Sequence, residues 1–424
     1  MSRFFLQLSS ILAAILILPS CQTLQFYGQA INGEMEILRK SRASDSVIAD
    51  PDTSPDISRQ LEKVERMRRF AMDHLALPAD ECFGKYADIG RPHVVWVIYA
   101  TPEFSMGPKT WSYPVVGKMD YRGYFRERDA ENLADQLRRD GHDVYVGGVD
   151  AFSTLGWFHD PVLNTFINYP DIHLAETIFH ELTHLEVFRR GDTVFNESLA
   201  EVVAEEGVKR WLQHEGRLDD LNKYEQLLVR RREFYQEIDR SRASLETLYA
   251  SGKPAAEMRR EKAAILGELH DQFRELHERW GGRGLEAWLQ ENINNGHIVS
   301  LRIYSDQMPE FRALLKESGG DFARFFKTAD CLKRRDHDPA ARRGKCGIRS
   351  VPGGQPAPQG PGRSHRGIQL RDQRRGCGRT NRHALRLPPD PEPAGGPPGS
   401  AWRSAWSNSR QGALWVTCLT PHAL

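Results

Sequence analysis

His180, Glu181 and His184 are the residues whose types and spacing most directly imply chemistry in this 424-residue chain. They stand in the run Ile178-Phe179-His180-Glu181-Leu182-Thr183-His184. Residues four apart on a helix project from one face about a turn from each other, so two imidazoles can reach a single metal ion. Glu181, one residue along, is rotated off that ligand axis. It points toward where the attacking water of a zinc hydrolase sits, the place a general base must occupy.

Zinc used catalytically takes three protein ligands and keeps one position open, so the two histidines need a third partner. Glu197 is the expected one. If the first helix ends at Gly191-Asp192 and a second starts near Thr193, His184 lies about 10 Å before the turn and Glu197 about 6 Å after it. Two antiparallel helices then bring them to nearly the same level. Glu201, one turn past Glu197 on the same face, is placed to accept the spare ring proton of His180 and so fix its tautomer. An isolated His-Glu-any-any-His is usually a solvated helix face. Here an amphipathic context, a glycine stop and a second helix carrying Asn196-Glu197 with another Glu at four occur together. His142, His159 and His173 add no ligand spacing and read as surface or hydrogen-bonded histidines.

The Asn-Glu-three-residues-Glu arrangement after the histidine motif resembles the gluzincin metallopeptidases, whose third ligand is a Glu on the following helix. More closely, Lys109-Thr110-Trp111, Tyr121 to Phe125, Ser153 to Phe158, Gly191-Asp192-Thr193 and Phe195 to Ser198 are similar to a bacterial family of lipoproteins described as zinc aminopeptidases. The similarity runs from about Cys21 to about Ala340. It implies His180, His184 and Glu197 as zinc ligands and Glu181 as base.

These residues need elements to position them. Phe4 to Leu18 is an apolar run after Arg3, too short for a membrane span and suited to a signal-peptide core, and Leu18-Pro19-Ser20-Cys21 resembles a bacterial lipobox. Residues 1–21 are therefore expected to be a lipoprotein signal with lipidation at Cys21. Gln22, rather than an aspartate, suggests by family analogy an outer-membrane lipoprotein facing the periplasm. Gln25 to Arg42 and Ile57 to Leu75 have apolar residues at helical spacing. Val94 to Ala100 reads as a buried strand, Tyr113 to Val116 and Gly123 to Phe125 as short strands, Ala130 to Arg139 as an amphipathic helix and Asp143 to Val149 as a further strand. An edge of this small sheet could hold an extended peptide by main-chain pairing, with 151–158 as a cleft lip or a packed loop.

Residues 217–280 read as a long antiparallel helical hairpin that projects from the body, its two helices broken at Ser251-Gly252-Lys253-Pro254. Asn294-Asn295-Gly296 reads as a turn, and Tyr304 falls in the helical segment after it. From residue 341 to 424 the texture changes: 14 of the 58 basic residues lie there against three of the 57 acidic ones, among Pro, Gly and Ser. The near-neutral whole thus conceals an acidic body and a basic tail, read as disordered. The tail has no aromatic-interleaved module, so no nucleic-acid partner is expected. Cys82 and Cys331 either pair in an oxidising compartment or remain separate thiols.

The fold expected is α+β and mainly helical, a zincin-like metallopeptidase body over 22–340. The function expected is zinc-dependent peptide-bond hydrolysis by a lipid-anchored aminopeptidase. A periplasmic endopeptidase and a non-catalytic metal-containing lipoprotein using the hairpin as a docking arm are the alternatives. Tyr304, with Tyr121 and Tyr124 behind it, is a candidate donor to the oxyanion of the transition state. An aminopeptidase also needs a carboxylate for the substrate ammonium, for which Glu103 or Glu176 are the candidates.

Overall fold

The computed structural model describes residues 25–337 apart from 81, 114–116, 152–153, 155–157 and 303–306. Cys21, Tyr304 and the tail from 341 lie outside the described residues. Helix α1 (25–40) buries Phe26, Ala30, Gly33, Glu34 and Ile37 on one face. A Cβ at Gly33 would sit 2.1 Å from the Phe125 ring, so only glycine lets this helix approach so closely. A short strand β1 (Arg42–Ala43) and helix α2 (Ser44–Ile48) lead to α3 (Pro55–Leu75). Ser54 caps α3 by accepting from Asp56 N, Pro55 fits the first turn, and Leu61, Val64, Met67, Ala71 and Leu75 line its buried face. The buried Arg68 guanidinium then donates to the carbonyls of Ala79, Asp80 and Cys82, fixing the chain as it leaves the helix.

Strand β2 (Lys85–Ala87) pairs with β1 and, in parallel, with a later strand. Next come β3 (Val95–Pro102), β4 (Trp111–Tyr113), β5 (Gly117–Met119), β6 (Arg122–Tyr124), helix α4 (Glu127–Arg139), β7 (His142–Val149) and β8 (Val162–Leu163), the parallel partner of β2. β3 is the centre of an antiparallel sheet in the order β6-β3-β7, while β4 and β5 form a separate hairpin. Alternation along β3 serves two cores. Trp96, Ile98 and Ala100 pack with Ala130, Ala134 and Leu137 of α4, whereas Val95, Val97 and Tyr99 join the main core on the opposite face. The sheet thus has one face under α4 and the other in the main core, where a later helix (Asn295–Arg302) packs on β3 and β7.

Those helices are α5 (Asp171–Glu186) and α6 (Thr193–His214). Every residue of α5 from Leu174 to His184 is buried, the pattern of a helix enclosed on all sides. At Gly207 of α6 a Cβ would meet both Leu75 and Phe179 at 2.9 Å, so α3, α5 and α6 close on one another there. The pair then gives way to α7 (Leu218–Tyr249) and α8 (Ala255–Arg279), followed by α9 (Asn295–Arg302), α10 (Met308–Glu317) and α11 (Phe322–His337). The protein is mainly helical with small sheets, and the described residues fall in one compact unit. Among the described residues no helix is long and apolar enough to cross a membrane.

Three local expectations are corrected. First, α5 ends at Glu186, five residues before Gly191: Val187 leaves it extended, and Arg189 to Asp192 close a turn with Gly191 at φ +74° that is held from α6. Asn196 accepts from Arg189 N at 2.7 Å and donates to Arg189 O at 2.8 Å. Second, the Asn294 turn is instead the start of α9: its side chain accepts from Gly296 N at 2.8 Å and its amide donates to Val144 O at 3.1 Å, seating the helix on β7. Third, the α7–α8 hairpin does not project. Arg259 grips Glu103 at 2.6 and 2.8 Å, Lys262 reaches Asp143 at 2.6 Å, and Tyr249 donates to Asn295 at 2.9 Å, so its tip is tied down on the sheet side. Cys82 and Cys331 do not pair, since Cys82 keeps a buried thiol whereas Cys331 is disulfide-bonded.

Candidate metal centre

Two antiparallel helices and one short connection build the centre. His180 and His184 lie one turn apart on α5, their rings 4.9 Å between centroids and nearly perpendicular. Asp192 caps α6 by accepting from Phe195 N at 3.1 Å, and Asn196 pins the preceding segment as above. The next residue, Glu197, is thereby delivered to the histidines. Its Oε2 is 3.1 Å from His180 Nε2 and 3.8 Å from His184 Nε2, and one donor atom from each of the three residues lies within 4.8 Å of the others. All three side chains are at most 1% exposed.

This donor set fits a zinc ion. Ligands about 2.1 Å from a tetrahedral ion are about 3.4 Å from each other, which the two Glu197 contacts bracket. Two imidazole nitrogens and a carboxylate oxygen are also the ligand types of catalytic zinc. Burial opposes charge on His180, yet Glu197 and Glu201 beside the ring outweigh it and push its pKa up to about 10. A buried carboxylate with two imidazoles calls for a cation.

Glu181 lies in the same buried space. Among the described residues neither of its carboxylate oxygens has a hydrogen-bond partner. Burial, offset in part by His180 and reinforced by the charges of Glu197 and Asp160, pushes its pKa up to about 8. A carboxyl group poised near neutrality and held off every donor is suited to exchanging protons with a substrate.

Behind the ligands runs a buried ionic chain. Glu201 Oε2 is 3.6 Å from His180 Nδ1, longer than a hydrogen bond but near enough for charge to act on the ring. Arg231, from α7, donates to Glu201 at 2.6 Å and to Glu176 at 2.8 and 3.1 Å, and Tyr224 donates to Glu176 at 2.7 Å. The buried residues of α7 recur at 221, 224, 228, 231, 234 and 238, so Arg231 occupies an apolar seam position and turns its charge inward. The hairpin therefore steadies the centre from behind, and Glu176 is consumed there, as Glu103 is by Arg259. Both carboxylates expected for a substrate ammonium are thus already in ion pairs.

Sequence reasoning missed Tyr99. It lies on the β3 face that joins the main core, fully buried, and among the described residues its hydroxyl has no hydrogen-bond partner. Burial, then the neighbouring Tyr121, Glu197 and Asp120, hold its pKa well above the ordinary phenol value, so the hydroxyl keeps its hydrogen and can donate a hydrogen bond. Period-two alternation from Val95 was the available signal. Of the tyrosines expected, Tyr121 packs 5.6 Å from Tyr99, Tyr124 packs edge-on against Phe26 at 5.5 Å, and Tyr304 lies outside the described residues.

A second missed residue is Glu34 on α1, 4% exposed, whose Oε2 is sealed from solvent and has no hydrogen-bond partner among the described residues. Burial and the charge of Asp160 raise its pKa to about 7. A carboxyl whose folded pKa lies above its unfolded one binds more protons folded, so stability is lost as pH rises from about 4.5 through 7. Glu34→Gln should therefore stabilise the fold by on the order of 3 kcal/mol near pH 8.5 and by well under half of that near pH 5. Thermal denaturation at the two pH values checks this, and an equal effect at both would contradict it.

No curated protein and no solved structure gives a significant match to this chain. A family profile does, over residues 25–345, a span that contains α1, the sheet, the paired helices and the hairpin. The chain belongs to the family described as "Putative aminopeptidase".

Proposed function

We propose that this family member is a zinc-dependent peptidase of aminopeptidase type, with a zincin-like organisation of its paired helices and sheet. The observation that carries the reading is the buried convergence of His180, His184 and Glu197 beside the unpartnered carboxyl of Glu181. His180, His184 and Glu197 would hold the ion, and Glu201 with Arg231 would keep the His180 ring oriented. Zinc so held would supply Lewis acidity toward the scissile carbonyl and lower the pKa of water to about 7. Glu181 takes the proton from the attacking water on a carboxylate oxygen and passes it to the leaving amine. Tyr99 donates its phenolic hydrogen to the carbonyl oxygen as negative charge develops there. Lipid attachment at Cys21, four residues before α1, would tether this body to the periplasmic face of the outer membrane.

Removal of metal by a chelator should abolish cleavage of an unblocked peptide panel, and one equivalent of zinc should restore it. Undiminished turnover after removal would contradict the reading. Tyr99→Phe deletes a hydroxyl that makes no hydrogen bond, so stability should change little while kcat falls by about 10²–10³-fold. A kcat within threefold of the parent would remove Tyr99 from the mechanism.

A further inference from the structure

The C-terminal ends of α3 and α6 meet at the surface, and each places a histidine there. His74 stands in the last turn of α3, and His214 is the last residue of α6. Both are exposed, and their ring centroids lie 4.8 Å apart. Phe70, one turn before His74, backs the pair at 4.8 Å from that ring and 5.4 Å from His214. The two helices are fixed in this approach by Gly207, where a Cβ would meet Leu75 of α3 at 2.9 Å. Glu197 and His214 are separated by about 25 Å along α6 at about 1.5 Å per residue, so the pair is distinct from the buried centre.

The spacing is that of two ligands on one ion. Imidazole nitrogens about 2.0–2.1 Å from a shared metal put their ring centroids about 4.5–5.3 Å apart, for angles at the metal of about 90–110°. His74 and His214 at 4.8 Å fall in that window, as do His180 and His184 at 4.9 Å. Aromatic packing does not account for the arrangement. The two ring planes meet at 48°, neither stacked nor edge-on, the geometries that ring pairs favour. Among the described residues neither histidine ring is held by a hydrogen bond. The field at this corner favours a cation as well: both helices present the negative end of the dipole and their last carbonyls. Asp73 and Glu215, both exposed, adjoin the two histidines in sequence.

We propose that His74 and His214 form a second metal site, open to solvent, which takes a divalent transition-metal ion such as zinc through its two imidazoles, with water completing the shell. Nitrogen ligands select such ions over calcium and magnesium, which take oxygen. The ion clips α3 to α6, the helix that carries Glu197 and Glu201, at the end remote from the buried centre. With two protein ligands instead of three, and with those exposed, the site binds more weakly than that centre. The assignment goes beyond the peptidase reading and does not depend on it.

Zinc chloride titrated calorimetrically into the metal-free full-length protein tests it. Two equivalents should bind, one tightly at the buried centre and one more weakly at the histidine pair. His74→Ala and His214→Ala should each leave the tight event unchanged and weaken the other by more than the roughly tenfold that loss of a group behind a ligand costs. Both side chains are exposed, so the substitutions spare the core. Raising zinc from one equivalent to saturation should also lift the melting temperature of the parent and of neither variant, because the ion binds the folded pair alone. A parent without the weaker event overturns the assignment, as does a doubly substituted protein that keeps it, which would move the metal to other histidines. Failure of the buried centre would look different: the tight event is missing, and the weak one is present and abolished by the double substitution.

Discussion

Glu181→Gln should retain zinc and lose peptide hydrolysis, with kcat down by about 10²–10⁴-fold. The substitution keeps shape and removes only basicity. Because neither oxygen of Glu181 is hydrogen-bonded, no contact of the folded state is lost, and a buried charge is removed as well. The variant should therefore melt no lower than the parent. Metal content, melting temperature and turnover measured on one preparation separate the roles: zinc lost with activity would make Glu181 a ligand, and unchanged turnover would remove it from the mechanism. The activity should also depend on pH. The carboxyl rests near 8 without a metal, and a cation shared by its neighbours would lower that value, so the rate in the zinc form should rise as pH increases through the acid limb.

Arg231→Met should be the most destabilising single change outside the ligands. Arg231 is ion-paired with both Glu176 and Glu201, and both carboxylates are buried with it. Removing one partner from such a network leaves charge unpaired at a cost of about 3–5 kcal/mol. The guanidinium also holds Glu201 beside His180, so zinc affinity should fall by about 10–100-fold even in the folded fraction. Denaturant titration of the metal-free protein reports the first effect and competition with a chromophoric chelator the second. A loss below 1 kcal/mol would show that water or rearrangement relieves the two carboxylates.

Much of this was legible in the sequence where the cause is local. Two histidines four apart share a helix face whatever surrounds them. The mainly helical α+β class follows from long periodic segments and one β-branched strand. Glu197 was also reachable, although the level argument assumed a helix running to Gly191. The helix stops earlier because Asn196 binds both backbone polar groups of Arg189, and a side chain that latches a backbone leaves no periodic trace.

The remainder is tertiary. Arg231 is one of many charges on α7 and is marked only by standing in an otherwise apolar three-four register. Tyr99 is marked only by which face of β3 its parity selects, and Glu34 only by an acid where α1 should bury an apolar residue. In each case the sequence holds a polar residue in a core pattern, and only the packed structure says what it faces. The hairpin shows the converse. Its charged length suggested an arm reaching outward, yet Arg259 and Lys262 at its tip bind Glu103 and Asp143.

The account stands on one ion shared by His180, His184 and Glu197, and zinc-edge X-ray absorption of the full-length protein loaded with one equivalent of zinc tests it most directly. The expected spectrum is that of a four-coordinate site with two imidazoles at about 2.0–2.1 Å, oxygen at about 2.0–2.2 Å and no sulfur. In His180→Ala and Glu197→Ala that signature should be lost. A sulfur shell at about 2.3 Å, or a spectrum unchanged by both substitutions, would place the metal elsewhere and contradict the account.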